Sequence, residues 1–258
     1  MTERKRFQDR VVLVTGASSG IGRACALALG REGARVVAAG RRVPRLDEVA
    51  SAIRASAGEC ETVSGDVREE AVCASWVGAA VRRFGKLDGL VNAAGVIGSG
   101  GLLETTPGEW DRVMDSNLRS ILLMTKAAAP ELIRRKGSVV NLSSVAGTRP
   151  YAGLLPYCVS KAAVDMFTRC AALDFASHGV RVNALSPGVV VTELHTVTNA
   201  VPDYPAFLER SKTTHPLGRV GSAEEVAGLV LFLMSDEAGW ITGVTYPIDG
   251  GRALVSAR

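Results

Sequence analysis

A short apolar run, Val11–Thr15, empties directly into Thr15-Gly16-Ala17-Ser18-Ser19-Gly20-Ile21-Gly22, and a helical pattern starts at once behind it. This junction constrains the chain more than any other feature. Its glycines let the backbone turn tightly and come close to a ligand. The helix N-terminus that follows offers free N–H groups and the positive end of its dipole, which suits a pyrophosphate. The chain has 28 glycines, so a bare spacing would carry little weight. Position supplies the weight: the turn follows a strand, opens a helix and stands at the first strand-to-helix junction.

The rest of the chain alternates in the same way. Strands are expected over 11–15, 35–39, 61–64, 87–92, 138–142, 180–186 and 244–247. Several are near-continuous Val/Leu/Ile runs, as parallel strands covered on both faces require. Helices are expected over roughly 20–32, 44–57, 69–84, 156–177 and 223–234, with 108–136 as two helices or one bent one. The alternation predicts an α/β fold: a doubly wound, Rossmann-type three-layer sandwich with a mostly parallel sheet of about seven strands and right-handed crossovers. Length and composition (258 residues, 47% hydrophobic, 22% charged) fit one domain spanning 1–258. The least regular stretch, 190–219, carries Pro202, Pro205 and Pro216. It is expected to be a long loop covering a substrate.

The net charge of +4 is unevenly placed: residues 1–54 hold 11 Lys/Arg against 5 Asp/Glu, while residues 55–258 sum to −2. Either the N-terminal part carries a basic tail and solvated helix faces, or it holds a site for an anionic ligand. Nucleic acid is disfavoured, because no long basic run or aromatic ladder accompanies the arginines. No apolar stretch approaches the ~18 residues of a membrane span. The N-terminus lacks the apolar segment of a signal peptide. The five cysteines are scattered without a C-x-x-C, and the three histidines do not cluster with them. A reduced, cytoplasmic protein without a metal site is expected.

The spacing G-x-x-x-G-x-G resembles that of the short-chain dehydrogenase/reductase family in its compact single-domain form, similar to 3-oxoacyl-carrier-protein reductases. The resemblance continues at Asn92-Ala93-Ala94-Gly95, Asn117, Asn141-Leu142-Ser143-Ser144, Tyr157-Cys158-Val159-Ser160-Lys161, Pro187-Gly188 with Thr192, and Asp249-Gly250-Gly251, in the family's order. It implies hydride transfer between a nicotinamide dinucleotide and a ketone/secondary alcohol pair. Cofactor contacts are then implied for Gly16, Ser18, Ser19, Gly20, Ile21 and Gly22 at the turn, and for Asp66 and Val67 at the adenine. Asn92, Ala93, Ala94 and Gly95 would lie beside the nicotinamide ribose, and Pro187, Gly188, Val190 and Thr192 along the nicotinamide. Asp66 has an alternative role, as the cap of a helix starting nearby.

The same resemblance bears on which dinucleotide is used. An acid after the second strand selects the ribose 2′-hydroxyl of NAD, and an arginine accommodates the 2′-phosphate of NADP. Here Gly40 stands at the acidic position and is followed by Arg41 and Arg42. A guanidinium grips a phosphate bidentately, so NADP(H) is expected over NAD(H). The alternatives are that both arginines are solvated loop residues and that the enzyme is an NAD-dependent alcohol dehydrogenase.

Tyr157 and Lys161 are four apart on an expected helix and so share a face. A free phenol, with a pKa near 10, is a poor acid–base at neutral pH; a nearby ammonium favours its ionised form. Tyr157 is therefore the expected general acid/base. The resemblance gives Ser144 a hydrogen bond to the substrate oxygen, with Ser143 competing. It gives Lys161 the nicotinamide ribose hydroxyls, and Asn117 a water leading protons to the lysine; Asn117 has the alternative of a polar residue at a helix kink. A non-catalytic dinucleotide sensor on the same fold is the remote alternative, and a sensor has no need of all four residues.

Substrate contacts are expected from Ser144, Val96, Tyr151, Leu154 and His195, with Ile97 and Val145 as further walls; His195 reads better as a rim residue than as a catalyst. The partners expected are a small carbonyl or alcohol and other copies of the chain. The resemblance implies a homotetramer, or a homodimer, built through the helix of Tyr157 and the segment 241–248.

Overall fold

Both faces of the first strand are apolar, and this places it at the centre of the molecule. In the computed structural model, which describes residues 5–197, 201 and 203–255 (the side chains of His195 and Val197 apart), Val11 and Leu13 enter one core and Val12 and Val14 the other. The strands are β1 (Val11–Thr15), β2 (Arg35–Gly40), β3 (Glu59–Ser64), β4 (Gly89–Asn92), β5 (Ser138–Leu142), β6 (Arg181–Pro187) and β7 (Thr245–Ile248). They form one sheet in the order β3-β2-β1-β4-β5-β6-β7. Every pairing is parallel, where the sequence suggested only a mostly parallel sheet.

The helices are α1 (Gly20–Arg31), α2 (Val43–Ala55), α3 (Glu70–Phe84), α4 (Pro107–Met114), α5 (Ser120–Arg135), α6 (Leu155–Ala176), α7 (Leu194–Val197), α8 (Tyr204–Thr213) and α9 (Ala223–Met234). One face of the sheet is covered by α1, α2 and α9 through Leu29, Leu46, Ile53, Val230 and Leu231. The other is covered by α3, α5 and α6 through Trp76, Met124, Leu132 and Ala171. The chain runs outward from β1 to β3, then crosses back to β4 on the other side of β1. Connections leaving β1 and β4 therefore diverge at the level of Thr15 and Asn92, which are paired in register. A crevice opens there, as expected at the switch point of a doubly wound sheet.

Two stretches differ from the sequence reading. The span 108–136 holds two helices, as expected, but they run on into one another. A π turn, Asp115–Arg119, joins α4 to α5 and carries Asn117 on it. Such one-turn expansions re-aim side chains within an otherwise continuous helix. The stretch 190–219 holds two helices instead of an irregular loop. Pro205 stands in the first turn of α8, where its missing N–H costs nothing. Asp203 caps that helix by accepting from Ala206 N at 2.9 Å.

Candidate active site

The glycine turn is held against the segment after β4. Gly16 has φ +68°, and a Cβ there would lie 2.9 Å from the Ala93 carbonyl oxygen. At Gly22 a Cβ would lie 2.4 Å from the Gly16 carbonyl oxygen. Side chains at either position would push the turn out of place. Thr15 fixes the other wall, its hydroxyl accepting from Ala93 N and Ala94 N at 3.1 Å each. Ser19 precedes α1 without a side-chain capping bond, so its hydroxyl leaves the first N–H donors of that helix to another acceptor. This geometry fits an anionic pyrophosphate.

A cleft of about 270 Å³ runs past this turn. Gly16, Ser18, Ser19, Gly20, Ile21, Gly22, Arg41, Arg42, Asp66, Val67, Ala93, Ala94, Gly95 and Thr192 line it. Asn92 does not. Its amide donates to Asn141 Oδ1 at 2.9 Å and to Thr125 at 3.3 Å, behind the wall between β4 and β5. Only the backbone after Asn92 reaches the cleft.

The rim of the cleft is ionic. Arg42 donates to Ser18 Oγ at 3.3 Å and pairs with Glu193 at 2.9 Å. Arg45 also reaches Glu193, at 3.5 Å. Arg41 is exposed and has no carboxylate partner among the described residues. A Cβ on Gly40 would meet only ordinary contacts with Leu46 and Ser18, so the missing acid there is a choice of sequence and not of space. Asp66 accepts from the Arg68 side chain at 2.6–3.0 Å and from Arg68 N at 3.0 Å. That guanidinium holds the Asp66 carboxyl below its usual range, with Arg41 adding a smaller pull. The bond to Arg68 N is a local turn, and Glu69, not Asp66, precedes α3. The sequence reading does not single out Arg68, two residues after Asp66, although the contact is local.

A second cavity, of about 430 Å³, adjoins the cleft and shares Ile21, Ala93, Gly95, Val96, Thr192 and Leu194 with it. Ser144, Tyr157 and Lys161 line this cavity, as do Val96, Ile97, Val145, Tyr151, Leu154, Pro187, Gly188 and Val190. Val190 thus belongs to the wall of this cavity and not to the cleft. Tyr157 and Lys161 are buried on one face of α6, with Lys161 Nζ 5.7 Å from the Tyr157 ring centre. Lys161 Nζ donates to the Leu142 carbonyl at 2.7 Å.

Burial governs both titrations. It pushes the Tyr157 phenol above its ordinary value, against a smaller opposing hydrogen bond from Ser144. It pulls Lys161 down to about 8, with the Asp165 carboxylate opposing. The sequence reading expects the ammonium to lower the phenol; here burial, opposed in part by the Ser144 bond, sets the direction of the shift. Ser143 lines the same cavity, but its hydroxyl donates to the Lys161 carbonyl at 3.2 Å, whereas Ser144 bonds the phenol.

Asn117 is fully buried. Its Oδ1 accepts from Val96 N at 2.8 Å, and its Nδ2 donates to Val96 O at 2.9 Å and Ser160 Oγ at 3.0 Å. The amide therefore clamps a cavity wall to α6. The backbone of His195 lies on α7, but its side chain is outside the described residues. The sequence reading, which placed Phe207 in the segment covering the substrate, missed Arg210 and Arg252; all three line the cavity. It also missed the brace by which the Tyr204 hydroxyl accepts from Thr192 N at 3.2 Å and donates to Thr192 O at 3.0 Å.

A parallel sheet with a glycine-turn cleft opening onto a tyrosine–lysine cavity defines a class: α/β oxidoreductases that bind a dinucleotide at the sheet's switch point. Comparison with known proteins gives the family. Residues 16–253 match the family model described as Enoyl-(Acyl carrier protein) reductase. The chain is 40% identical over 250 residues to 2,5-dichloro-2,5-cyclohexadiene-1,4-diol dehydrogenase LinX of Sphingobium indicum, covering 96% of this chain and 98% of that one. It is 36% identical over 250 residues to 3-oxoacyl-[acyl-carrier-protein] reductase FabG of Thermotoga maritima, covering 96% and 100%. A crystal structure of a short-chain dehydrogenase/reductase of unknown function from Caenorhabditis elegans, with cofactor, superposes with a TM-score of 0.91 at 34% identity and 98% coverage of both chains. The chain belongs to the short-chain dehydrogenase/reductase family. It is an oxidoreductase acting on CH–OH groups, in a family that uses nicotinamide dinucleotides. Among the described residues no helix is long and apolar enough to cross a membrane, and no cluster suits a metal ion.

Proposed function

We propose that the protein interconverts a ketone and a secondary alcohol with NADP(H), using Tyr157 as general acid/base within one domain. One observation carries this reading: Ser144, Tyr157 and Lys161 line a single cavity that opens onto the glycine-turn cleft. When bound, the nicotinamide supplies or accepts the hydride. The Tyr157 hydroxyl gives its proton to the carbonyl oxygen in reduction and takes it back in oxidation. Ser144 donates a second hydrogen bond to that oxygen. Lys161 holds the ribose hydroxyls and restores the phenol's proton. Asn117 keeps the Val96 wall and α6 in register, and Thr192, braced by Tyr204, orients the carboxamide.

The preference for NADP(H) rests on Arg41. It lines the cleft without a carboxylate partner among the described residues, next to a Gly40 that offers no acid. A second reading, NAD(H) use, is favoured by the commitment of Arg42 to Glu193. Assaying purified protein with NADPH and NADH against ketones, β-ketoacyl thioesters, steroids and sugars decides between them. A higher kcat/KM with NADPH is expected; a clear NADH preference sinks the NADP(H) reading.

Five unpaired cysteines support a reducing, cytoplasmic setting. Self-assembly is supported by the exposed stripe Val159, Met166 and Leu173 on α6. A homotetramer or homodimer is expected by light scattering, and a monomer at micromolar concentration overturns it.

A further inference from the structure

The cavity beside Tyr157 is apolar over most of its wall, yet among the described residues no carboxylate lines it and three cations do: Lys161, Arg210 and Arg252. Lys161 is accounted for by the reaction proposed above. The two arginines are not. They come from parts of the chain unrelated in sequence, α8 and the C-terminal turn, and they converge on one cavity. General basicity does not explain this, because residues 55–258 carry a net charge of −2.

Arg252 is placed deliberately. The Asp249 carboxylate accepts from Gly251 N at 2.9 Å and from Ala253 N at 2.7 Å, which fixes the short turn Arg252–Leu254. Gly250 and Gly251, at φ +58° and +84°, supply the left-handed backbone that this turn needs. The half-buried guanidinium then lies 5.3 Å over the Tyr151 ring and donates through Nε to the Tyr151 hydroxyl at 3.0 Å. Its Nη1 meets the Thr214 hydroxyl. All its partners are neutral. Arg210 is exposed on α8, one helical turn after Phe207, which also lines the cavity. Neither arginine has an ion pair among the described residues, although arginines elsewhere in the chain commonly do. An arginine at the wall of an apolar cavity without a counter-charge suits the recognition of an anion.

We propose that the substrate carries an anionic group, of carboxylate type, on an apolar body, and that Arg210 and Arg252 bind it while Ser144 and Tyr157 take the carbonyl. This rests on the ketone/alcohol reading above and adds the charge of the substrate to it. With Nε bonded to Tyr151 and Nη1 to Thr214, Nη2 of Arg252 is left for the anion, and Arg210 reaches the same cavity from α8. The apolar wall between them suits the body of a small keto acid.

The test compares para-acetylbenzoate with its methyl ester, each with NADPH and with NADH. A kcat/KM for the acid about tenfold to a hundredfold above that for the ester is expected, as charge-assisted bonds typically give. High salt narrows the gap by raising the KM of the acid. Arg210→Ala, on an exposed helix face with no intramolecular ion pair, should cut the acid-to-ester ratio about tenfold. Arg252→Gln should do the same and serves as the second variant. An acid-to-ester ratio near one in the wild-type protein, or a ratio untouched in both variants, overturns the proposal while leaving the ketone reading intact. Reduction of neither compound with either cofactor, nor of any neutral ketone, overturns that reading and this proposal with it.

Discussion

The cavity floor at Tyr157 and the cleft rim at Arg41 differ in how their side chains are held. On the floor, Tyr157, Lys161 and Asn117 are all buried, and the lysine and the asparagine bond to backbone groups at Leu142 and Val96. Those partners are fixed by the sheet and by α6, so the arrangement follows from the fold. On the rim, Arg41 is exposed, and Arg42 is held by Glu193, a side chain 151 residues away. Contacts between exposed charges are individually weak and exchange easily. The floor should therefore set whether chemistry occurs, and the rim only which dinucleotide is preferred.

The largest effect belongs to the floor. Tyr157→Phe removes the proposed acid/base and should lower kcat about a thousandfold, within the usual range for general acid–base catalysis. Cofactor affinity, read by fluorescence titration of the purified variant, should change less than about twofold, since a hydroxyl facing the carbonyl contributes little to holding the dinucleotide. A variant keeping most of its turnover would move the acid/base elsewhere and break the comparison at its first term.

The rim comes next. Arg41→Ala should lower kcat/KM with NADPH about tenfold to a hundredfold, the loss of a charged bond to phosphate, and leave the value with NADH nearly unchanged. Equal losses with both cofactors would mean that Arg41 supports the cleft instead of reading the 2′-phosphate.

What the sequence revealed follows the same division. The glycine turn, the alternating strands and the four-residue spacing of Tyr157 and Lys161 are local patterns, and the fold brings them together as expected. Strand ends slipped by about two residues, as at β3 and β4, because pairing and not composition decides where a ladder stops. Asn117 was visible as a residue but not in its contacts, since a π turn is not encoded by hydrophobic spacing. Pro205 read as a breaker, although a proline in the first turn starts a helix as readily as it ends one. Glu193 meets Arg42, and Arg210 and Arg252 come to one cavity, only through tertiary structure. No short window of sequence contains either pair.

The floor should also show itself in pH dependence. Lys161 titrates near 8, depressed by burial, while Tyr157 is pushed above its ordinary value. Below about 8 the lysine is charged and the phenol protonated, which is the combination that ketone reduction needs. Reduction should be steady through the neutral range and fall as pH rises through about 8, by several-fold over the next unit. Stability should move the other way over part of that range. A lysine whose folded value lies below its unfolded value binds fewer protons when folded, so its contribution improves between about 8 and the ordinary 10.5. Activity and thermal stability measured on the same samples should thus diverge above pH 8; a parallel rise would remove Lys161 from the reaction.

The smallest effect probes whether the rim competes with its own ligand. Glu193 presents a carboxylate to Arg42 at 2.9 Å and to Arg45 at 3.5 Å, beside the position expected for a 2′-phosphate. An anionic ligand must share those guanidinium groups with it. Glu193→Gln removes the charge but keeps the shape, so Arg42 becomes available. Exposed pairs of this kind contribute about 0–1 kcal/mol, so the KM for NADPH should fall no more than about fivefold, and the KM for NADH should hold. Because the pair is screened by salt, the difference between variant and wild type should shrink as ionic strength rises. If the KM for NADPH rises instead, Glu193 acts chiefly by tying the segment of Thr192 to α2, and the rim is then held as structurally as the floor.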